Sequence, residues 1–387
     1  MKFRHTRRID KKMTYLLEAS ASVVPFINTI LAAFCENKLI PQNYQKDRER
    51  IKEAMLEILD AVEMPEEEID RQLIVSMLRN LFPPEMDGGI LETFLTVIYQ
   101  KIERLSIEEY KNNPYYQNIH FDTVQEEDIV LTNDSYQPYE AFLTNTAEMF
   151  LNLPATLPNI GFFKEQFSFQ SIGMKSVSKA MMTITPVEIN TMKEPIANAK
   201  GKVLMLGCGL GYFAYMASLK EDVESVTIIE KDPAVIKLFT EHILPQFEHK
   251  EKIQVTEADA LTYLDTLQDG TFDYCFADIW LGADEFALYM AVKDRTKHMK
   301  KMKTDYWIED AFMKQLVSNV FAEIGSAYAG RNIYHCITTE ERHKINYLHR
   351  LLKNEEITSP EQIDNLLNPE TILKRINKAK FRYEDCF

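Results

Sequence analysis

Residues 201–211 have the sequence Gly-Lys-Val-Leu-Met-Leu-Gly-Cys-Gly-Leu-Gly. The run from Val203 to Leu206 is short and apolar, as expected of a strand buried in a parallel sheet. Gly207, Gly209 and Gly211 follow directly and can adopt backbone angles that are closed to other residues. The stretch therefore predicts a strand that turns into a loop where a ligand approaches the main chain. A tight turn without a ligand would need the same glycines, so this motif alone leaves both interpretations open.

Three further apolar stretches predict strands that each end beside an acidic residue. The acids are Glu230, Asp259 and Asp278. Glu230 lies about 20 residues beyond the glycines, where a carboxylate at a strand end can bind ribose hydroxyls. Because the carboxyl ends of parallel strands meet at one edge of a sheet, we expect these acids to face the glycine loop. The predicted strands are 225–230, 252–257 and 272–277, with 304–310 as a fifth.

Each acid has a simpler interpretation as a solvated loop residue or a helix cap. Asp259 and Asp232 in particular precede predicted helices and are of a residue type that caps them. For any one acid alone the cap is the better interpretation. Their joint placement at predicted strand ends favours a ligand site.

The motifs named above, taken together, resemble class I S-adenosylmethionine-dependent methyltransferases, and within them the spermidine-synthase-like branch. The resemblance implies an α/β fold with a Rossmann-like, mostly parallel sheet, preceded by an N-terminal helical domain and followed by C-terminal helices. It lies within residues 185–290. The motifs that carry it are Val203-Leu-Met-Leu-Gly-Cys-Gly-Leu-Gly211, Val226-Thr-Ile-Ile-Glu-Lys-Asp-Pro-Ala-Val-Ile236, Asp259-Ala-Leu-Thr-Tyr-Leu264 and Phe272-Asp-Tyr-Cys-Phe-Ala-Asp278.

The cofactor that the resemblance implies is S-adenosylmethionine. The three glycines would line its methionine and ribose, Glu230 would hold the ribose hydroxyls, and Asp259 with Ala260 would meet the adenine. A nicotinamide dinucleotide more commonly goes with Gly-x-Gly-x-x-Gly, whereas here the third glycine comes one residue sooner. The implied cofactor-binding residues are Leu206, Gly207, Cys208, Gly209, Gly211, Glu230, Lys231, Asp259, Ala260 and Asp278.

One departure from the polyamine-synthase pattern bears on the reaction. In the polyamine-synthase pattern an Asp stands where this chain has Leu210. An aminopropyl donor carries an ammonium in place of the carboxylate, and the loss of an acid beside it weakens that assignment. Only Glu188 and Asp278 keep the residue types of that pattern outside the glycines. The sequence therefore favours methyl transfer to a small-molecule acceptor. The alternatives are an aminopropyltransferase-like enzyme and a non-catalytic S-adenosylmethionine-binding regulatory protein.

Asp278 is the predicted catalytic residue, because a carboxylate at the fourth strand end could orient or deprotonate the acceptor. A structural Asp in a turn is the competing interpretation. Trp280 and Tyr289 are predicted to bind substrate through their π faces, unless they pack in the core. Glu309 either meets the substrate or caps the following helix.

Composition excludes several classes of function. The chain has 387 residues and a formal net charge of -15, which argues against a general nucleic-acid surface. Its five cysteines show no metal-site spacing, so no metal is predicted, and they fit a reducing, cytoplasmic location. The most apolar stretch, Ala19 to Phe34, is interrupted by Pro25 and Asn28, and no membrane span is predicted. Assembly into a homo-oligomer is compatible with the sequence.

The chain divides into segments of different pattern. Helical spacing dominates before the sheet, in 8–35, 43–62, 66–82 and 89–112, and Tyr139 to Leu151 is also predicted to be helical. Thr185 to Glu188 is typical of a capping box with Pro in the first turn. The predicted segments are a helical domain (1–112), a mixed α/β connection (113–184), the cofactor-binding domain (185–338) and a C-terminal helical cap (339–387).

Overall fold

The structure is a computed structural model that describes residues 1–35, 39–60, 63–83, 85, 89–145, 148–149, 153, 155–177, 179–331 and 338–386. The helices are α1 (Arg7–Cys35), α2 (Tyr44–Leu59), α3 (Glu66–Arg79), α4 (Ile90–Tyr99), α5 (Ile107–Lys111), α6 (Pro114–Asn118), α7 (Pro186–Asn198), α8 (Tyr212–Ser218), α9 (Pro233–Leu238), α10 (Ala260–Thr266), α11 (Phe286–Thr296), α12 (Glu309–Ala329), α13 (Thr339–Leu352), α14 (Pro360–Leu366) and α15 (Pro369–Lys378). The strands are β1 (Lys2–Phe3), β2 (Ile102–Arg104), β3 (Val124–Glu126), β4 (Ile129–Tyr136), β5 (Phe142–Leu143), β6 (Glu148–Met149), β7 (Thr156–Leu157), β8 (Ile160–Phe162), β9 (Phe167–Met174), β10 (Lys179–Thr183), β11 (Gly201–Leu206), β12 (Val223–Glu230), β13 (Ile253–Glu257), β14 (Tyr274–Ala277), β15 (Lys303–Tyr306) and β16 (Glu356–Ile357).

The chain forms two compact units. The sheet unit comprises Met1–Met13, Lys111–Asp134 and Phe169–Phe387, and the helical unit comprises Thr14–Tyr110 and Ser135–Ser168. The units interleave along the chain, so the connection predicted between the helical and cofactor-binding domains contributes to both of them. The boundaries between the four predicted segments remain a prediction.

The sheet unit is built on a parallel sheet. Among the described residues its strand order is β13-β12-β11-β14-β15, with every neighbouring pair parallel. The residues of β11 from Val203 to Leu206 are buried, as expected of a central strand covered on both faces. Helices α8, α9, α10 and α11 connect the successive strands as βαβ crossovers. The predicted Rossmann-like α/β architecture is confirmed.

The strand order places a crevice beside β11. The chain moves outward from β11 through β12 to β13 and then returns to β14 on the other side of β11. In open α/β sheets, ligands bind at the carboxyl edge where the order reverses in this way. Gly207 and Asp278 are the residues that follow β11 and β14, so both lie at this reversal point.

The fifth strand is shorter than predicted. It spans Lys303–Tyr306 rather than 304–310, so Trp307 lies just beyond the strand. Ile308 adopts a left-handed φ of 50°, which ends the extended conformation, and α12 begins at Glu309. Trp307 still donates its main-chain N–H to the carbonyl of Ala277, which holds it at the carboxyl edge of the sheet.

The predicted helix from Tyr139 to Leu151 is wrong. In the helical unit, β5 and β6 occupy described parts of this stretch, and β5 pairs antiparallel with β8. Tyr139 has a left-handed φ of 60°, which is incompatible with a right-handed helix beginning there. Strand pairing has overridden the local helical spacing. The predicted helix 89–112 is likewise interrupted after Tyr99, where the chain enters β2.

Helix α1 is continuous through Pro25 and amphipathic. Its buried residues recur every three or four positions, from Ile9 and Met13 to Ile30 and Ala33. Among the described residues, Arg7–Phe34 is the one helix long and apolar enough to cross a membrane by length and composition. About a third of its most apolar window is buried inside the protein, and a core helix of a soluble protein passes the same test. The absence of a membrane span stays a prediction.

Substitution of Leu204 in β11 tests the central position of this strand. Leu204 is fully buried, so Leu204→Ala should lower the free energy of unfolding by about 2–5 kcal/mol. Lys202→Ala, on an exposed position of the same strand, should change it by less than about 0.5 kcal/mol. Urea unfolding of both variants measures the difference, and equal effects would contradict the central placement of β11.

Candidate active site at the carboxyl edge of the parallel sheet

A cavity in the sheet unit lies at the carboxyl edge of the parallel sheet. It opens to solvent. Its walls are formed by residues at or beyond the carboxyl ends of all five strands, together with residues of β10 and α7. They are Met181, Met182, Glu188, Met205, Gly207, Cys208, Gly209, Ile229, Glu230, Lys231, Ala258, Asp259, Ala260, Leu261, Asp278, Ile279, Trp280, Leu281, Leu288 and Trp307.

Most of the predicted site residues lie on this wall. Of the predicted cofactor-binding set, Leu206 and Gly211 do not line the cavity; the others do. Leu206 is buried in β11, and Gly211 is the N-cap residue of α8. Trp280 lines the cavity as predicted, whereas Tyr289 and Glu309 do not. Sequence reasoning did not include Glu188, Met182 or Trp307 in the site.

Gly207 is required by two independent constraints. Its φ of 90° lies in the left-handed region, where side chains are strained. A Cβ at this position would also overlap the main-chain carbonyl oxygen of Asp278. The two loops that follow β11 and β14 can therefore touch only because residue 207 has no side chain.

Most main-chain N–H groups of the glycine loop already donate hydrogen bonds within the protein. Among the described residues, Gly209 has the one main-chain N–H between positions 207 and 211 that makes no hydrogen bond. A pyrophosphate needs several such N–H groups directed at it. This arrangement therefore argues against a dinucleotide. The donated bonds run from Gly207 to Ile229 O (2.9 Å), from Cys208 to Glu230 Oε2 (3.0 Å), from Leu210 to Met182 Sδ (3.3 Å) and from Gly211 to Cys208 O (2.9 Å).

Glu230 joins the glycine loop to the end of β12. Its Oε2 accepts the N–H of Cys208, and its Oε1 accepts the N–H groups of Lys231 (2.8 Å) and Asp232 (2.9 Å). A carboxylate offers about four lone-pair positions, so three bonds leave acceptor capacity for a ligand hydroxyl. The side chain is thus held rigidly at the place predicted for a ribose-binding acid.

Asp259 and Asp232 both cap helices, which confirms the simpler interpretation for each. Asp232 accepts the N–H of Ala234 at 2.9 Å. Asp259 accepts the N–H of Thr262 at 2.9 Å through Oδ1, and this bond lowers the pKa of its carboxyl group. Asp259 also lines the cavity, so its capping role does not remove it from the candidate site.

Two carboxyl groups with raised pKa values line the same cavity. Burial raises the pKa of Asp278 from its ordinary value of 3.8 to about 8. Burial, and then the charge of Asp278, raise the pKa of Glu188 well above its ordinary range. Within the described residues no side chain or main-chain N–H donates to the carboxyl of Asp278. Each group makes ionisation of the other less favourable, so the pair titrates as a coupled unit.

The capping box predicted at the start of α7 does not form. Thr185 is the N-cap residue and Pro186 occupies the first turn as predicted, but the Thr185 hydroxyl makes no capping bond. It lies 3.2 Å from the hydroxyl of Thr183 instead. The carboxyl of Glu188 interacts with the main chain of Thr183 rather than with the cap. Glu188 is therefore available to the cavity.

Both tryptophans of the chain line the cavity. The indole N–H of Trp280 donates to the carbonyl of Trp307 at 3.1 Å, and that of Trp307 donates to the Thr191 hydroxyl at 3.0 Å. Because both indole donors are satisfied within the protein, the rings serve the cavity as apolar and π walls. Carboxyl groups and aromatic walls together suit a cationic ligand.

Tyr289 and Glu309 belong to a partly buried polar network behind the cavity wall. The Tyr289 hydroxyl donates to Glu309 Oε1 at 2.7 Å, and Lys293 Nζ approaches the same oxygen at 2.6 Å. Tyr289 is fully buried and packs edge-on against Trp280. The structure thus brings Tyr289 beside a cavity residue without placing it on the wall. Glu309 begins α12 and bonds Tyr289 and Lys293 rather than capping that helix.

The strand order and the glycine loop after the central strand give the sheet unit a Rossmann-like, parallel α/β fold. No protein-family model matches the chain, and the comparison with curated proteins gives no match.

Parts of the chain are similar to solved structures. One is a spermidine synthase from Thermotoga maritima (15% identity, TM-score 0.28), and another is a spermidine synthase in complex with the transition-state analogue AdoDATO (16%, 0.28). Each similarity covers 39% of this chain and 57% of the other, so the chain spans little more than half the length of these enzymes. A third is a Klebsiella pneumoniae protein described as an O-methyltransferase (14%, 0.27), with 43% and 67% covered.

The raised pKa of Asp278 predicts a pH dependence of stability. Between about pH 4 and about pH 8 the folded protein keeps this carboxyl protonated while the unfolded chain has lost the proton, so stability falls as pH rises. Asp278→Asn should therefore raise the free energy of unfolding by about 1–3 kcal/mol near pH 9 and change it little near pH 4. Urea unfolding at both pH values measures this. Asp284→Asn, at an exposed position, is the control, and parallel pH profiles for Asp278→Asn and the parent would contradict the assignment.

Proposed function

We propose that the protein is an S-adenosylmethionine-dependent methyltransferase that acts on a small-molecule amine. The observation that carries the proposal is the composition of one cavity. Its wall combines four features. They are a glycine loop whose main-chain N–H groups mostly donate within the protein, the carboxyl group of Glu230 at the end of β12, the coupled carboxyl groups of Glu188 and Asp278, and both tryptophans. The first two features suit an adenosine with no pyrophosphate, and the last two suit a cation.

The residues at the strand ends fit the adenosine part of the cofactor. Glu230 retains acceptor capacity for the ribose diol, and Gly207, Cys208 and Gly209 of the glycine loop line the cavity beside it. Asp259 and Ala260 are the proposed adenine contacts. When bound, S-adenosylmethionine supplies a methyl group on an already activated sulfonium, so the protein needs mainly to position the acceptor.

The acceptor side of the cavity is proposed to bind and deprotonate an amine. An amine arrives mainly as an ammonium and must lose a proton before its lone pair is available. Below about pH 8 the Asp278 carboxyl holds a proton in the free protein, and binding of the ammonium is proposed to displace that proton to solvent. The resulting carboxylate then accepts the proton that the amine loses. Glu188 is proposed to hold the ammonium beside Asp278, while Trp280 and Trp307 exclude water and face the cation.

Aminopropyl transfer is the second candidate, because of the charge balance of the cavity. Among the lining residues that the structure describes, Glu188, Glu230, Asp259 and Asp278 are acidic, and Lys231 is the one lysine or arginine. A decarboxylated cofactor would add no negative charge to this environment. Leu210 is fully buried and does not line the cavity, so the acids that could meet such a donor are the carboxyl pair. A regulatory protein that binds the cofactor without chemistry is the third outcome.

Calorimetric titration with S-adenosylhomocysteine, S-adenosylmethionine and decarboxylated S-adenosylmethionine tests the cofactor. We expect the first two to bind more tightly than the third, and the reverse order would favour aminopropyl transfer. Glu230→Ala should weaken binding roughly tenfold or more, because charge-assisted bonds to the ribose hydroxyls are worth about 1.5–3 kcal/mol each. Glu230→Gln keeps one acceptor oxygen and should lose less. Unchanged affinity in a folded Glu230→Ala protein would remove the ribose assignment.

Comparison of affinity with turnover tests the role of Asp278. With S-adenosylmethionine supplied, a panel of amines is screened by mass spectrometry for a product that gains a methyl mass. Asp278→Asn should reduce that turnover by roughly 10²–10⁴-fold, as expected of a lost acid–base group, and leave S-adenosylhomocysteine affinity within about twofold. Parallel losses of both would mean that Asp278 is structural. Ligand-dependent stabilisation without any methylated product would favour the regulatory protein.

A further inference from the structure

The segment from Asn113 to Asn118 reaches the glycine loop and the helix behind it. The Tyr115 hydroxyl donates to the carbonyl of Leu210 at 2.5 Å, and Tyr115 is fully buried. Its ring packs edge-on against Tyr212 and Tyr215 of α8, with centroids 5.5 and 5.6 Å away. The side-chain amides at both ends of the segment bond the same two tyrosines. Asn113 Nδ2 donates to Tyr212 Oη at 2.8 Å, and Asn118 Nδ2 donates to Tyr215 Oη at 2.9 Å.

Leu210 is held from a second direction by β10. Its main-chain N–H donates to Met182 Sδ, so both polar main-chain groups of Leu210 are bonded by side chains from outside the parallel sheet. The preceding residue, Gly209, has a φ of 50° and the N–H that makes no bond among the described residues. A glycine has wide conformational freedom, so the direction of this N–H depends on how its neighbour is fixed.

The same segment also reaches the other wall of the cavity. The Tyr116 hydroxyl donates to the carbonyl of Ile184, directly before the N-cap residue of α7. Helix α7 carries Glu188, one of the two coupled carboxyl groups. Two consecutive tyrosines thus bond main-chain carbonyls beside two walls of the cavity, within the glycine loop on one side and before α7 on the other.

We infer that the segment Asn113–Asn118 is a positioning clamp: Tyr115 fixes the glycine loop for the cofactor, and Tyr116 fixes α7 and Glu188 for the acceptor. The expected change in ligand affinity rests on the proposed function. The expected change in the conformational freedom of the glycine loop does not. A loop held in its binding conformation loses less conformational freedom when a ligand binds. Neither tyrosine lines the cavity, so both act through the residues that they hold.

Tyr115→Phe removes the hydroxyl and keeps the ring. We expect S-adenosylhomocysteine to bind about 3- to 10-fold more weakly, as for the loss of one buried hydrogen bond. Hydrogen–deuterium exchange of peptides covering 207–211 should become faster. Tyr116→Phe should instead speed exchange over 184–190 and affect the cofactor less. Tyr274→Phe is the matched control: it loses a buried hydroxyl bond of 2.8 Å to Asp305 in the same unit and should change neither readout.

The two readouts separate the clamp from the proposed function. If the parent protein does not bind S-adenosylhomocysteine, the proposed function fails, and exchange at 207–211 still decides the clamp. Parent-like exchange and affinity in Tyr115→Phe would overturn the inference. If Tyr115→Phe does not fold, Met182→Leu removes the other bond to Leu210 at similar volume and should shift both readouts in the same direction. Met181→Leu, a change at a cavity residue without that bond, should leave the exchange unchanged, and parent-like exchange in Met182→Leu would again overturn the clamp.

Discussion

The contact between Gly207 and the main chain of Asp278 is the constraint on which the rest of the site depends. β11 and β14 are neighbours in the sheet, and the N–H of Asp278 donates to Leu206 O at 2.9 Å, directly beyond the strand pairing. Gly207, which directly follows Leu206 at the end of β11, has no room for a Cβ. Any side chain at 207 would separate the two loops and move the Asp278 carboxyl away from the glycine loop. A cofactor-type loop and an acid–base candidate are neighbours because this one position is glycine.

The bonds of Glu230 have a consequence for how the loop is organised. In phosphate-binding loops the main-chain N–H groups await the ligand, and an anion completes their hydrogen bonding. Here the Glu230 side chain accepts one N–H of the loop, that of Cys208, together with those of Lys231 and Asp232 after β12. The N–H groups of Gly207, Leu210 and Gly211 also donate within the protein, so the loop is held without a bound phosphate. What it can offer a ligand is close approach, the remaining capacity of Glu230 and the N–H of Gly209, a set that fits a nucleoside better than a nucleotide.

The sequence predicted β11, β12, β13 and β14 well because each ends at, or directly before, a glycine or an acid. The polar strand β15 has no such signal, and its predicted bounds were too long. The order of those strands places Gly207, Glu230, Asp259 and Asp278 around one cavity, as their positions along the chain implied. Glu188 and Met182 were missed because each is brought in from outside the sheet. Their helix and strand contain no local signal for a cavity, although Glu188 matched the polyamine-synthase pattern. The capping box failed for a related reason, since Glu188 interacts with the Thr183 main chain instead.

Tertiary contacts also explain where local patterns misled. Tyr139 to Leu151 has helical spacing, but pairing of β5 with β8 fixes part of it as strand. Tyr289 has the aromatic character of a cation-binding residue, but its hydroxyl is used by Glu309 and its ring packs against Trp280. Its role is to support the cavity wall.

The charge of the cavity is the feature that most restricts what it can bind. Glu188 and Asp278 are acids whose pKa values are raised chiefly by burial, so the folded protein disfavours their ionised forms. An arginine or lysine beside them would have relieved this cost, yet among the described wall residues the one such side chain is Lys231, which follows β12. Keeping these two carboxyl groups without a cationic partner lowers the stability of the folded protein at pH values where they ionise. In the function that we propose, a positively charged ligand supplies the missing partner, and its binding is coupled to release of the proton that the pair holds.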